Sequence, residues 1–144
     1  MVNLINNSPM GLMDALCKRI SAVLSDSFWH QSEFSEGEYH TPHVHAQNLP
    51  VSLTRDVERD MSKDFPLVKV VCVDGEITDF AETTNASEIM FRIYFGGYYT
   101  NKDNQGWRIP LAMLWRVLQD LLANTITEGY QLDVPVTWTP ISDD

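Results

Sequence analysis

The sequence predicts an α+β fold in which two main helices pack on an antiparallel or mixed sheet of about four strands. Two stretches repeat apolar residues at three- and four-residue steps, which is typical of amphipathic helices. Between and after them lie β-branched or alternating stretches that favour strands. The chain has 144 residues, 44% of them hydrophobic. We therefore expect one domain over residues 1–144, because such a length can bury a core without disulfides or metals.

The first helix is predicted to begin at Ser8-Pro9, an N-cap residue followed by a proline suited to the first turn. It is expected to end near Ser25-Asp26. Its apolar stripe consists of Met13, Leu16, Cys17, Ile20, Val23 and Leu24.

The segment of about 27–64 has no clear periodicity and mixes aromatic residues, acids, glycine and proline. Irregular segments of this length are commonly functional or disordered. Within it, only the weak alternation from His43 to Leu49 is typical of a strand.

Two strands are predicted in the middle of the chain. The β-branched run from Leu67 to Val73 is followed by Asp74-Gly75, which is a turn signal. The second strand turns Ile89, Phe91, Ile93 and Phe95 towards a core, and a bend is expected at Gly96-Gly97.

The second helix is predicted with Pro110 in its first turn and an end at Asn124 or Thr125. Its apolar stripe is read as Leu111, Leu114, Trp115, Leu118, Leu121 and Leu122. A last strand is expected from Tyr130 to Trp138, where apolar and polar residues alternate. Pro135 would confine that strand to a sheet edge or a bulge.

The acidic composition excludes some functions. Twenty acidic residues against ten basic ones give a net charge of −10, whereas nucleic-acid-binding proteins usually need a basic patch. The N-terminus has neither a basic region nor a continuous apolar run, and no window resembles a membrane span.

Cys17 and Cys72 lie in apolar patterns and are expected to be buried reduced thiols, so the protein is expected to fold in a cytoplasm.

The histidines are the remaining candidate for chemistry, since no phosphate-binding loop, nucleophile elbow or rigid carboxylate pair occurs. His43 and His45 would share one face of a strand, and His40 could join them in a metal site. The alternative is an edge strand whose polar face carries histidines. We expect no cofactor and no catalytic residue.

Several motifs appear in a definite order: "VHAQNLPV", "DFPLVKVVCVDGEITDF", "IMFRIYFGGYYTNKDNQGWRIPLAMLWRVLQDLL" and "YQLDVPVTWTP". With its Leu49-Pro50 pair, its Phe65-Pro66 strand opening and its Asp103–Arg108 box before a leucine-rich helix, the chain resembles bacteriophage and prophage tail terminator, or tail completion, proteins. The resemblance covers about two thirds of the chain.

The resemblance implies a non-enzymatic virion protein of the tail or neck, assembled in the bacterial host cytoplasm. Such proteins form rings of usually six subunits that cap the tail tube and end its polymerisation. The partners would be further copies of the chain, the major tail tube protein and the head–tail connector protein, with no nucleic-acid or membrane partner. The candidate interface residues are Tyr98, Tyr99, Asp103, Trp107, Arg108 and Pro135.

Three alternatives remain open from the sequence. The chain could be a neck or head-closure protein on the portal side, a metal-binding protein using the three histidines, or a small monomeric adaptor. For the aromatic candidates, ordinary packing at strand ends is the alternative to an interface.

Overall fold

The structure is a computed structural model that describes residues 9–25, 29–30, 39–48, 66–77, 87–97 and 108–140. Within these described residues, the helices are α1 (Pro9–Leu24) and α2 (Arg108–Ala123). The strands are β1 (Trp29–His30), β2 (Tyr39–His40), β3 (His43–Ala46), β4 (Leu67–Ile77), β5 (Ser87–Gly96), β6 (Ile126–Thr127) and β7 (Tyr130–Gln131).

The main sheet is mixed and has the order β3-β4-β5. β3 runs parallel to β4, with His43 opposite Leu67, and β4 runs antiparallel to β5. β1 with β2, and β6 with β7, form two separate antiparallel ribbons. The predicted α+β class, with two helices and a mixed sheet, is confirmed.

The core lies between one face of the sheet and the two helices. Side chains alternate along a strand, so Val68 and Val70 of β4 point to the same face and are fully buried. They meet a cluster of buried helix residues: Ile20, Leu24, Met113, Val117 and Leu121. Phe91, Ile93 and Phe95 of β5 pack against this cluster from the same sheet face, as their alternation predicts.

The first helix matches its prediction at both ends within the described residues. Ile20 and Leu24 of the predicted stripe are buried, and Leu12, which was not assigned to the stripe, is buried too. Cys17 and Cys72 are free thiols, but both are half-buried, so the expectation of full burial was wrong.

The expected turn at Asp74-Gly75 was wrong, because β4 continues through these residues to Ile77. β5 is long enough to pair with β4 as far as Ser87, and the register shifts at a bulge between Cys72 and Asp74. The Gly75 N–H donates to the Asp74 carboxylate over 2.8 Å. The extra residue of the bulge is Val73, whereas Asp74 and Gly75 pair with Met90 and Ile89, so the ladder continues through the predicted turn.

The predicted strand from Tyr130 to Trp138 was also wrong beyond Gln131. Glu128 and Gly129 have φ angles of 50° and 80°, which form a two-residue turn that pairs β6 with β7. Residues 132–140 belong to no strand in the described part of the chain. Pro135 offers no N–H to a sheet, and its peptide bond with Val134 is cis.

The irregular segment of about 27–64 lies largely outside the described residues. Its described parts include β1, β2 and β3. β3 confirms the strand predicted from His43, but it ends at Ala46, before the predicted end at Leu49. Gln47 follows β3 with a φ of 64°, and its side-chain oxygen accepts a hydrogen bond from the Cys72 N–H over 3.1 Å.

Candidate assembly surfaces

Helix α2 is apolar on two opposite faces. Met113, Val117 and Leu121 are buried against the sheet. Trp115 and Leu122 are 54% and 51% exposed. At 100° per residue these two point almost directly away from the buried three. The predicted single stripe therefore mixed two faces: it included the exposed Trp115 and Leu122 and missed Met113 and Val117.

We call the residues on the uncovered side the outer stripe of α2. Its members are Leu111, Trp115, Leu118 and Leu122, of which Leu111 and Leu118 are half-buried. Their spacing of four, three and four residues places them along one line on the helix. The outer stripe is continued in sequence by Ile126 of β6, which is also exposed.

The segment after β7 presents a second set of uncovered apolar side chains. Val134, Val136 and Trp138 are all exposed, Val134 by 71% and Trp138 by 49%. In the sequence they alternate with Pro135 and Thr137. We call residues 132–140 the C-terminal segment.

Arg19 of α1 ties the start of this region to the rest of the fold. Its Nε and Nη2 donate to the Asp120 carboxylate and the Asp120 carbonyl over 2.7 and 2.9 Å. The same side chain donates to the Asn124 carbonyl over 2.6 Å and to the Thr127 hydroxyl over 2.7 Å. A cation at the last carbonyls of α2 also opposes the negative end of the helix dipole.

The C-terminal segment is anchored at its first residue. The Leu132 N–H donates to the Thr125 carbonyl over 2.7 Å, and the Leu132 side chain packs against the core. We call the contacts of Arg19 with α2 and β6 the Arg19 clamp. Because this clamp holds Thr127 to α2, it sets, together with Leu132, where the exposed part of the C-terminal segment begins. Sequence periodicity gives no signal for such a contact between residues more than 100 positions apart.

The sheet face opposite the helices carries several polar and aromatic side chains. His43 and His45 stack with ring centroids 6.4 Å apart, as expected for neighbours on one strand face. Lys69 lies opposite His45 in the register, with its ammonium 5.7 Å from the Tyr94 ring centroid. Arg92 donates to the Tyr94 hydroxyl over 3.4 Å.

The structure describes the side chains of two of the three histidines in the predicted metal site. His43 and His45 share a face, while only the backbone of His40 is described, in β2. Among the described side chains, no group of three or more His, Cys, Asp or Glu residues could hold a metal ion.

The predicted interface residues are only partly placed. Tyr98, Tyr99, Asp103 and Trp107 lie outside the described residues. Arg108 is the exposed first residue of α2, and Pro135 is exposed in the C-terminal segment rather than in an edge strand. The exposed Trp115 and Trp138 were not among the predicted interface residues, although tryptophan is an interface-enriched residue type.

No helix in the described ranges is long and apolar enough to cross a membrane. Comparison of the chain with protein-family models, with curated proteins and with solved structures finds no match.

Proposed function

We propose that this chain is a non-enzymatic structural subunit of a phage tail, which forms an oligomeric ring that caps the tail tube. The ring would end tube polymerisation and join the tail to the head. The proposal starts from the resemblance of the sequence motifs to tail terminator proteins. Its main structural support is the concentration of uncovered apolar side chains on α2 and the C-terminal segment.

These side chains are costly to leave in water. Burying an apolar side chain of this size contributes about 1.5–3 kcal/mol, and tryptophans commonly dominate the affinity of protein interfaces. Single exposed apolar residues are ordinary, but a helix with a second apolar face is not explained by its own fold. A partner that covers the outer stripe explains why α2 is apolar on both sides.

A closed ring requires two different surfaces on each subunit, because each copy meets its neighbour head to tail. The outer stripe of α2 and the C-terminal segment are two such surfaces. In the proposed ring, the exposed residues of the C-terminal segment cover the outer stripe of the neighbouring copy. Val134, Val136 and Trp138 are the exposed apolar side chains that the segment offers to this contact.

The partners of the proposed ring are further copies of this chain, the major tail tube protein and the head–tail connector protein. The site of action is the virion, at the tail or neck, after assembly in the bacterial host cytoplasm. The net charge of −10 per chain suits a part that adjoins DNA without binding it.

The proposal is tested by measuring assembly of the purified chain and of a Trp115→Ser variant. Sedimentation velocity and negative-stain electron microscopy should show closed rings for the unchanged chain and smaller species for Trp115→Ser. Gln119→Ala is the matched control, because it changes an exposed residue of the same helix without removing a large apolar side chain. Circular dichroism should be the same for all three. Unchanged assembly of Trp115→Ser would refute the role of the outer stripe.

A further inference from the structure

Strand β5 is an edge of the main sheet, since in the described part of the chain it pairs with β4 alone. Its outer-face residues Glu88, Met90, Arg92 and Tyr94 are all exposed, and Met90 is 62% exposed. Edge strands of this length offer a row of backbone N–H and C=O groups to another strand.

The residues on the two sides of Met90 carry opposite charges: Glu88 is acidic and Arg92 is basic. If two such strands lie antiparallel with Met90 opposite Met90, then Glu88 of each copy faces Arg92 of the other. We propose that β5 binds β5 of a second copy of this chain in this register, with Met90 on a two-fold axis. The three-stranded sheets of the two copies then join into one six-stranded sheet.

The other face of the strand fits the same register. There, Ile89 of one copy lies opposite Phe91 of the other, so an apolar pair forms on each side of the axis. Both residues are only half-buried in the single chain. Pairs of aromatic and β-branched residues directly opposite each other stabilise antiparallel sheets.

Other two-fold registers lose the charge pairs. Centring the pair on Ile89 or on Phe91 sets Met90 opposite Glu88 or Arg92, so neither charge meets its opposite. Centring the pair on Arg92 would set the two guanidinium groups opposite each other, and centring it on Glu88 would do the same with the carboxylates. Like charges directly opposite each other destabilise a sheet. A parallel, in-register pair would likewise set Glu88 beside Glu88 and Arg92 beside Arg92 of the other copy. In the register centred on Met90, the charged residues lie opposite residues of opposite charge, and the apolar residues lie opposite apolar ones.

The ion pairs proposed here cannot form within one chain. Glu88 and Arg92 are four strand residues apart, which is roughly 13–14 Å at the rise of a strand. Within the chain, Glu88 instead lies opposite Glu76 of β4. Arg92 of a second copy would offset this like-charge pair, which gives the two-fold contact a specific electrostatic gain.

This contact goes beyond the proposed function and does not rest on it. A two-fold contact joins identical surfaces, whereas a ring is closed by contacts between different surfaces. A chain that makes both would form two rings related by two-fold axes, and a chain that makes only the β5 contact would form a dimer.

Charge exchange tests the proposal. Arg92→Glu and Glu88→Arg each turn two attractive pairs into two repulsive ones, so each should weaken the β5 contact about tenfold or more in sedimentation equilibrium. The double variant Glu88→Arg with Arg92→Glu restores both pairs and should recover the affinity. Recovery distinguishes a contact between copies from damage to one chain. If the double variant is weaker than both single variants, or if no variant alters association, the proposal is overturned.

Disulfide trapping tests the register independently. Met90→Cys places two thiols on the axis, where directly opposite Cβ atoms lie about 4.5–5.5 Å apart and small adjustments allow a disulfide. Val73→Cys is the matched control, because Val73 is 43% exposed on β4 and takes no part in the proposed β5 pair. The unchanged chain, oxidised in the same way, measures any linkage through Cys17 and Cys72.

The expected result is a covalent dimer for Met90→Cys, well above both controls on a non-reducing gel. Equal yields in all three would overturn the register. Rings in the micrographs without this linkage would contradict the β5 contact alone, and linkage without rings would contradict the proposed function alone.

Discussion

Replacing Arg19 tests how the C-terminal region is held on the fold. The guanidinium donates to the side chain and carbonyl of Asp120, to the Asn124 carbonyl and to Thr127, with a longer 3.4 Å contact to the Ile126 carbonyl. Arg19→Met keeps an apolar stem of similar length and removes all of these donors. The acceptors belong to α2, to β6 and to the connection between them, so all three parts lose the side chain that joins them.

The magnitude follows from the contacts and their exposure. Hydrogen bonds to charged groups contribute about 1.5–3 kcal/mol each when they are protected from water. The side chain of Arg19 is 17% exposed and that of Asp120 is 35% exposed, so solvent screens their ion pair and water can replace part of the lost contacts. We therefore expect the free energy of unfolding to fall by about 2–4 kcal/mol, well below the sum of the separate bonds.

Urea denaturation followed by circular dichroism measures this loss. Lys18→Met is the matched control, because it removes the same charge from the neighbouring, exposed position of α1 and should change stability by no more than about 0.5 kcal/mol. Arg19→Lys should fall between them, since an ammonium lacks the planar fork that reaches several acceptors. Equal stabilities for Arg19→Met and Lys18→Met would refute the clamp.

Three further predictions concern single residues. Met113 is fully buried, so Met113→Ala should lower the free energy of unfolding by about 2–5 kcal/mol in the same denaturation assay, and a loss below about 1 kcal/mol would contradict its place in the core. Gly129→Ala should cost about 1–2 kcal/mol because φ is +80°, although the added Cβ meets no atom within 4 Å. Gly75→Ala, whose Cβ would lie 3.7 Å from a carbonyl oxygen, should cost less, and the reverse order in thermal melts would contradict the turn geometry. Burial, with a smaller effect of the Asp14 carboxylate, raises the pKa of the Cys17 thiol. Iodoacetamide should therefore modify Cys17 more slowly in the folded protein than in urea at pH 8, with the difference narrowing as the pH rises; equal rates, resolved by peptide mass spectrometry, would contradict this.

The elements that the sequence predicted well are those in which local and tertiary preferences agree. Pro9 and Pro110 mark the first turns of the two helices, and their apolar periodicity extends to the observed ends. The run from Leu67 and the alternation from Ile89 gave the two long strands. In α1 and β5 one residue pattern matches one structure and one buried face.

The outer stripe could not be separated from the buried face by periodicity. Helix α2 carries apolar residues on both sides, so a stripe drawn through the leucines and Trp115 cuts across the two. Met113 and Val117 are buried because they face Val68 and Val70 across the core, which is tertiary information. A second apolar face is itself the available sequence signal for a partner.

The last strand failed for a local reason. The alternation of residue types continues to Trp138, but the turn at Glu128-Gly129 pairs Tyr130 and Gln131 with the two residues of β6, and that ladder ends at Gln131. The turn was missed because Glu-Gly is a weaker turn signal than Asn-Gly or Asp-Gly. The Arg19 clamp was missed for a different reason. Its acceptors are mostly backbone carbonyls, which exist at every position and leave no mark in a sequence.

The mass and shape of the purified chain in solution test the central proposal most directly. Six copies of a 16.4 kDa chain make a ring of about 98 kDa, and two such rings joined through β5 make twice that mass. Native mass spectrometry together with negative-stain electron microscopy should give a single mass at one of these values and round particles with a central hole. A monomer at every concentration, with or without tube-forming partner protein, would contradict the proposal that this chain is the subunit of a closed ring.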